Sequence, residues 1–566
     1  MQDIRWRGWS DAPFEESKRT GKPVLLSISA VWCHWCHVMD ETTYSTPRVV
    51  EIINERFIPV RVDTDRSPDI NARYNMGGWP TTAFLTHDRD VIAGATYVPP
   101  DQMAGILDRV ADAYSEQGEM LAQQAKQARI EGEERLSNQS PGRPGLADVE
   151  TVLASVRSGY DREYGGFGFD QKFPFTDALA LLLLSYEYSG ERRDLDLVTG
   201  TLDGMIHGEL FDRIEGGMFR YATVRDWTEP HYEKILEDNA RIASVLLDAY
   251  RITGSERYLD TARGVFSYVE STLLDRSTGL FLGSQDADGE YYRADQAARK
   301  LLERPRVDRA AYTDSNADMA SAYLKLWAVT GEPSARERAT RIVSFLNGLP
   351  RDADGTVPHY HEDSEAREHG ILADHAGLIL ANVECHEATG DRAYLDEAVE
   401  LCAHLGVFGS ESGGLYDISE RRARARGLGR HSYPIDENST AATAIAKLGV
   451  LTGEPTYLET AERILSVFAG QYEDYGIMAA SYGMAVIAAR RDPLVVTVRA
   501  RGEDPARDRF LEASMRSCNS LCTVRLEESE KDEQPGAIVC VGSNCISRVT
   551  DPDDLARQVR SAARSR

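Results

Sequence analysis

The residues best suited to chemistry lie near the start of the chain, in Trp32-Cys-His-Trp-Cys-His37. Two cysteines separated by two residues at a helix start are close enough to close a small disulfide ring. The unpaired N–H groups of the first turn and the positive end of the helix stabilise a thiolate on the first of them. Cys33 is therefore expected to be the attacking sulfur, facing solvent, and Cys36, one turn in and more buried, the resolving one. His34 lies between them and favours the thiolate when protonated, which makes the disulfide easier to reduce. Pro80, expected in the cis form, presents backbone to a substrate disulfide and has no N–H to donate. Cys33, His34, Cys36 and His37 are also metal-ligand types. Adjacent residues rarely aim at one ion, however, and no second Cys/His pair follows at zinc-site spacing. Thiol–disulfide exchange is the expectation, with the dithiol itself as the only cofactor and a protein or small-molecule disulfide as partner. Metal binding and two inert thiols are the alternatives.

Such a pair needs a scaffold, and the flanking sequence supplies one. Residues 24–29 and 57–62 are short apolar runs of strand length, with a helix-like stretch between them from the cysteines to about Glu55. A third strand candidate, residues 81–86, follows Gly77-Gly-Trp-Pro80. Strand, Cys-x-x-Cys, helix, strand, and a proline entering another strand is the order of a thioredoxin-like α/β unit.

Composition limits what else the chain does. Hydrophobic residues make up 42% and charged residues 27%, ordinary for a globular protein of several domains. The longest apolar stretch, residues 178–184, is far short of the roughly 20 residues a membrane span needs. The N-terminal residues have no apolar signal region, and eight cysteines in 566 residues is no disulfide scaffold. A reducing, cytoplasmic setting is expected, with no membrane partner. With 64 Lys+Arg against 91 Asp+Glu, the net charge of −27 repels a phosphate backbone, so no nucleic-acid partner is expected. Nine Lys beside 55 Arg, with acid dispersed along the chain, resembles proteins of salt-loving archaea; an acidic cytosolic protein is the plainer alternative.

After a polar linker at 131–148, helical stretches of 15–20 residues alternate with two kinds of connection. The short kind repeats as Thr253-Gly-Ser-Glu-Arg-Tyr-Leu-Asp, Thr389-Gly-Asp-Arg-Ala-Tyr-Leu-Asp and Thr452-Gly-Glu-Pro-Thr-Tyr-Leu-Glu, with looser copies at Thr330-Gly331 and Ser189-Gly190. Each glycine suits the left-handed position that ends a helix. The long kind is rich in glycine and aromatics, as in Glu215-Gly-Gly-Met-Phe-Arg-Tyr221. Twelve helices in six pairs, without a polar capping repeat at either end, fit a closed (α/α)6 barrel better than an open solenoid.

Trp32-Cys-His-Trp-Cys-His-Val-Met39, Val60-Arg-Val-Asp63, Gly77-Gly-Trp-Pro-Thr-Thr-Ala-Phe-Leu85 and Gly94-Ala-Thr-Tyr-Val-Pro99 together resemble the spermatogenesis-associated-protein-20-like family, also catalogued as a domain of unknown function with a thioredoxin-like fold. The stretch 216–239 resembles the signature of that family's barrel, which is similar to N-acylglucosamine 2-epimerases and six-hairpin glycosidases. The resemblance implies a thioredoxin fold joined to such a barrel, and it names the fold more firmly than the substrate. One departure is the compact stretch between Asp288 and Asp314, where the family usually carries a longer insert.

If even-numbered helices are inner, the long loops and the inner-helix starts share one end of the barrel. Thr176-Asp177, Glu237-Asp238-Asn239, Asp314-Ser-Asn316, Asp374-His375 and Asp436-Glu-Asn438 then lie together, with Arg220, Tyr221, Asp226, Trp227, His231, Glu233, Asp286, Asp288, His359 and His431 in the same loops. Asp and Asn at helix starts are good N-caps, which is the plain reading. Aromatics and carboxylates around a funnel suit a sugar, and the paired acid and base of epimerases with this fold point to His231 and His375. Carboxylate pairs for glycoside hydrolysis are the other option. From Asp492 the pattern changes to a small α/β segment holding Cys518, Cys522, Cys540 and Cys545, expected as packed free thiols. Cys540 and Cys545 resemble a pair in the family's tail, which leaves exchange with Cys33 and Cys36 open.

The expected architecture is multidomain: a thioredoxin-like α/β domain at 1–130, a linker at 131–148, an all-α (α/α)6 toroid at 149–492 and a small α/β segment at 493–566. The expected function is thiol–disulfide exchange by Cys33 and Cys36, assisted by Trp32, His34 and Pro80, beside a barrel that binds a carbohydrate-like ligand. A sugar epimerase or isomerase with a structural thioredoxin domain is one alternative, and a non-enzymatic binding scaffold the other.

Overall fold

In the N-terminal domain a short apolar strand is buried on both faces. Val24–Ser29 (β1) pairs in parallel with Ile58–Asp63 (β2) and antiparallel with Thr81–Leu85 (β3); Val91–Ala95 (β4) completes the order β2-β1-β3-β4. Five helices pack around this sheet: Asp11–Thr20 (α1), His34–Glu41 (α2), Pro47–Arg56 (α3), Pro68–Tyr74 (α4) and Pro100–Ser137 (α5). The computed structural model describes residues 3–137, 141–429, 432–502, 504–530 and 533–564. The single helix expected between the cysteines and Glu55 is in fact two. Pro47 opens the second at its N1 position and forces Thr46 into extended backbone (φ −66°, ψ 122°), so α2 cannot run on. Helix α5 carries the first domain through to Ser137, seven residues into the expected linker.

Twelve long helices follow. They are Leu146–Ser158 (α6), Thr176–Ser189 (α7), Arg192–His207 (α8), Leu236–Thr253 (α9), Glu256–Tyr268 (α10), Thr313–Thr330 (α11), Pro333–Asn347 (α12), Leu372–Thr389 (α13), Arg392–His404 (α14), Ile435–Thr452 (α15), Pro455–Leu465 (α16) and Ala480–Arg490 (α17). The odd-numbered helices from α7 to α17 form an inner ring in which each touches the next and α17 touches α7. The last inner helix takes the first barrel helix as its outer partner. The Tyr482 hydroxyl of α17 donates to Asp148 of α6 at 3.0 Å, so the ring closes as the (α/α)6 toroid.

The short connectors work as their sequence indicates. Gly190, Gly254, Gly331, Gly390 and Gly453 all adopt left-handed backbone, and each donates its N–H to the carbonyl four residues back. The preceding threonine adds a second stop signal. Thr253, Thr330, Thr389 and Thr452 donate their hydroxyls to the carbonyl four residues back and accept an N–H from two residues ahead. In the long connectors glycine is required by close approach: a Cβ on Gly216 (φ +77°) would sit 2.2 Å from the carbonyl oxygen of Gly264 in α10.

The C-terminal domain is a four-stranded sheet of Leu494–Arg499 (β5), Thr523–Glu527 (β6), Gly536–Val541 (β7) and Asn544–Val549 (β8), in the order β6-β5-β7-β8, with helices Pro505–Ser517 (α18) and Pro552–Arg564 (α19). It covers the barrel end formed by the C-terminal halves of the inner helices, where Asn519, Ser520 and Leu521 line the lumen. The expectation of free thiols here is overturned. Cys518 bonds Cys522, whose intervening residues form a tight loop, and Cys540 bonds Cys545 across the β7–β8 hairpin. Both pairs lie at the opposite end of the barrel from Cys33, so exchange within one chain is closed off.

Candidate functional site

Cys33 is the N-cap of α2. Its backbone is extended, and its Sγ accepts the Cys36 N–H at 3.2 Å, so the sulfur occupies the place where the helix has unpaired donors. Cys33 and Cys36 are disulfide-bonded, with Cα atoms 5.2 Å apart, and the Trp79–Pro80 peptide is cis as expected. The sulfurs do not face solvent, however. Cys33 is 4% exposed and Cys36 2%, packed with Ala30, Trp32, Trp79 and, from the barrel, Ile235 at the start of α9. His34 is exposed beside the Trp35 ring, and His37 turns toward Asp286, so the four metal-type side chains diverge.

The thioredoxin-like domain is seated on the barrel mouth through charged pairs. His37 Nε2 meets the Asp286 carboxylate at 2.9 Å, which raises the His37 pKa. Arg66 donates to both Asp308 and Glu362 at 2.8 Å, and Arg73 forks onto Asp417. Arg422 clasps the fully buried Asp69 with two hydrogen bonds. His359 bridges the joint most directly: Nδ1 lies 2.8 Å from Asp374 and Nε2 2.6 Å from the Asp65 carbonyl oxygen. Both ring nitrogens face acceptors, so both carry protons. Burial opposes that charge, but Asp374, Asp314 and the Asp65 carbonyl outweigh it and raise the pKa to about 9.

This seating encloses a chamber of about 440 Å³. Its roof is Trp32, Asp65 and Trp79; the Trp32 indole donates to Asp65 at 2.7 Å. Its walls are the first turns of the inner helices, including Glu237, Asp238, Asp314, Asp436 and Glu437. Arg220 lies over the rings of Trp32 and Trp79, 4.5 and 5.1 Å from their centroids. Below, Arg241 pairs with Glu237 at 3.0 Å and Asp318 at 2.8 Å, and a second hollow of about 210 Å³ continues past Asp177 to the floor. Asp238 and Glu437 make no hydrogen bond or ion pair with any other described residue. They stand on α9 and α15, three places apart and therefore opposite in the six-helix ring. Burial raises Glu437 to about 8, reinforced by Asp436. Burial also raises Asp238 to about 6, with Arg220 pulling the other way.

The remaining expected pocket residues, among those described, do not line the chamber. Asn239, Asn316 and Asn438 do not face the lumen. Each is fully buried and clamps a glycine-rich loop: Asn316 Oδ1 accepts the Phe281 N–H while its amide donates to the Phe281 and Tyr312 carbonyls, and Asn239 does the same with Met218 and Ile235, Asn438 with Leu415 and Pro434. His375 occupies the same helix position in α13 and also turns outward. Nε2 meets the Leu401 carbonyl, Nδ1 has no partner, and burial lowers its pKa to about 4. His231 stacks on Tyr221 and pairs with Glu233 at 3.2 Å, away from the chamber, with Tyr221 stacked in turn on Phe173. The paired-histidine acid and base is therefore not formed. Trp227 is core, its indole bonded to the Tyr164 carbonyl, and Asp226 is an exposed turn residue bonded to Thr228. Asp288 caps the short helix Gly289–Arg293. Asp286 serves the joint through His37, and Asp374 through His359. His431 lies outside the described residues. Among the lumen residues that sequence alone does not single out are Arg241 and Asp318. Each lies one turn beyond an expected one (Glu237, Asp314), a spacing that puts both on one helix face.

Residues 1–131 match the family model Thioredox_DsbH, "Protein of unknown function, DUF255". Over 312 residues the chain is 32% identical to Spermatogenesis-associated protein 20 of Mus musculus, covering 50% of this chain and 39% of that protein. An uncharacterized protein of Caenorhabditis elegans is 26% identical over 475 residues, 73% of this chain and 64% of its own. The chain thus matches less than two thirds of the length of either relative. The cellobiose 2-epimerase of Spirochaeta thermophila DSM 6192 shares the barrel fold at 17% identity, with a TM-score of 0.50 over 61% of this chain and 97% of that one. The chain is therefore similar to Spermatogenesis-associated protein 20 across half its length, with a thioredoxin-like domain leading into an epimerase-like (α/α)6 barrel.

Proposed function

We propose that this protein acts by proton transfer on a small hydroxyl-rich molecule, a sugar or close analogue, enclosed between the barrel mouth and the thioredoxin-like roof. One observation carries the reading: two unpartnered carboxyls, Asp238 and Glu437, on opposite walls of one chamber. At neutral pH Asp238 is mostly ionised and Glu437 mostly protonated, so one accepts a proton and the other donates one. Trp79 gives the chamber aromatic surface, and Arg220, stacked on Trp32 and Trp79, and Arg241 offer donors to hydroxyls. A sugar epimerase or isomerase fits, because a proton leaves one carbon and another is returned without net oxidation. Titration calorimetry with neutral mono- and disaccharides tests it. Saturable heat with the wild type, lost in Trp79→Ala and weakened in Asp238→Asn, supports the reading; no saturable heat with any sugar in the wild type removes it.

Thiol–disulfide exchange is the second reading, favoured by Cys33 at the N-cap of α2 beside cis-Pro80. With the sulfurs shielded by Ile235 and the tryptophans, a protein disulfide reaches them only if the roof lifts. Trapping of a mixed disulfide by Cys36→Ser, absent in the Cys33→Ser control, would support it.

A further inference from the structure

A separate cavity, of about 390 Å³, lies where the C-terminal domain meets the rim of the barrel floor. Its chemistry is the reverse of the chamber's. Four arginines line it, Arg251, Arg516, Arg560 and Arg564, against one carboxylate, Glu187. Glu187 is already taken, because Arg251 forks onto it at 2.7 and 3.0 Å. That pair lines both this cleft and the lumen, and so forms the wall between them. Arg560 and Arg564 stand one turn apart on α19 and share a face, and neither pairs with a carboxylate among the described residues. Arg516 comes no nearer than 3.7 Å to its closest carboxylate oxygen, on Glu512. Two guanidiniums, Arg560 and Arg564, are therefore left without counter-charge around one concavity, and a third, Arg516, is held only loosely by Glu512, in a chain whose net charge is −27. Salt screens the distant acid within about 8–10 Å, so the local field inside the cleft is positive.

The rest of the lining limits the ligand further. Ile252, Val329, Val559 and Ala563 give an apolar wall, and Tyr186 and Tyr250 give aromatic surface. A lone carboxylate would leave most of the positive charge unmatched, whereas a diphosphate carries enough charge and enough acceptor oxygens for forked arginine contacts. A cavity of this size lies within the range of roughly 300–1,000 Å³ that holds small organic ligands.

We propose that this cleft is a binding site for a phosphorylated small molecule with an apolar or aromatic body, the chemistry of a nucleoside diphosphate. The phosphates sit against Arg516, Arg560 and Arg564, and the body against the tyrosines and Val559. The full chain is titrated with ADP, inorganic pyrophosphate and adenosine, reading thermal stability and calorimetric heat. ADP is expected to bind saturably with an apparent Kd below about 1 mM, more weakly as salt rises, pyrophosphate less tightly than ADP, and adenosine not at all. Arg560→Gln with Arg564→Gln is expected to weaken ADP at least about tenfold, the loss of roughly 1.4 kcal/mol. Arg557→Gln, on the same helix but paired with Asp554, keeps wild-type binding and shows that α19 tolerates the change. No saturable ADP binding below about 10 mM, or equal binding by the double variant, overturns the site. Pyrophosphate binding as tightly as ADP overturns the assignment of the apolar wall.

Discussion

His359 Nε2 lies 2.6 Å from the backbone carbonyl oxygen of Asp65, so an imidazolium of the barrel is hydrogen-bonded to the loop that holds the Trp32 indole. Its other nitrogen is held by Asp374, whose Oδ1 also accepts the Asp314 N–H at the start of α11. One continuous set of hydrogen bonds therefore runs from an inner helix to the residue beside Cys33.

That bridge makes domain seating depend on pH. His359 is raised from 6.5 to about 9 in the folded protein. A raised histidine gives stability that is fully present below its unfolded pKa and lost as pH climbs through the folded one. The stabilisation, on the order of 3 kcal/mol and owed mainly to Asp374 and Asp314 with the Asp65 carbonyl adding the smallest share, is therefore intact below pH 6.5 and fades as pH rises to about 9. His359→Gln should flatten this window in pH-dependent melting, and it should speed proteolysis near the joint at pH 7.

Shielding of the cysteines should follow the same joint. In reduced wild-type protein a bulky maleimide is expected to label Cys33 slowly, and Arg422→Ala to accelerate labelling. The substitution leaves the Asp69 carboxylate buried with a weakened set of partners, a loss of roughly 3–5 kcal/mol. Equal labelling rates in the two proteins would show that the roof opens freely.

The loop clamps should matter to the fold and not to turnover. Asn316→Ala removes three hydrogen bonds and strands the Phe281 N–H, a cost of roughly 2–4 kcal/mol seen as a lowered Tm. Asn239→Ala and Asn438→Ala should fall in the same range.

Much of this fold can be read from local sequence signals. A glycine after threonine ends α9, α11, α13 and α15, so Thr253-Gly254 and Thr389-Gly390 announce their geometry, and so does the helix start at Cys33, although Thr199-Gly200 runs on inside α8. The inward and outward faces of the inner helices are harder to tell apart. Asp238 and Asn239 are neighbours in sequence but about 100° apart around α9, so one lines the chamber and the other clamps a loop. Nothing in either residue says which face is the lumen. The burial of Cys33 depends on Ile235, some two hundred positions away, and no local pattern contains it.

Glu437 separates stability from function. Its pKa is raised from 4.5 to about 8, so the protonated form stabilises the fold fully below pH 4.5, and that advantage is lost as pH rises through 8. Glu437→Gln cannot ionise. It should melt higher than the wild type at pH 9 and equally near pH 4, while losing its ability to pass a proton to a ligand.

The most direct test of proton transfer in the joint chamber is solvent deuterium incorporation into a panel of aldoses and disaccharides in D2O, followed by NMR. The wild type should place deuterium on a carbon-bound position of at least one sugar, and Asp238→Asn and Glu437→Gln should each slow this by about a hundredfold or more, with the Cys33→Ser protein still active. Undiminished incorporation in both carboxyl variants, or none in the wild type alongside disulfide turnover that disappears in Cys33→Ser, would contradict it.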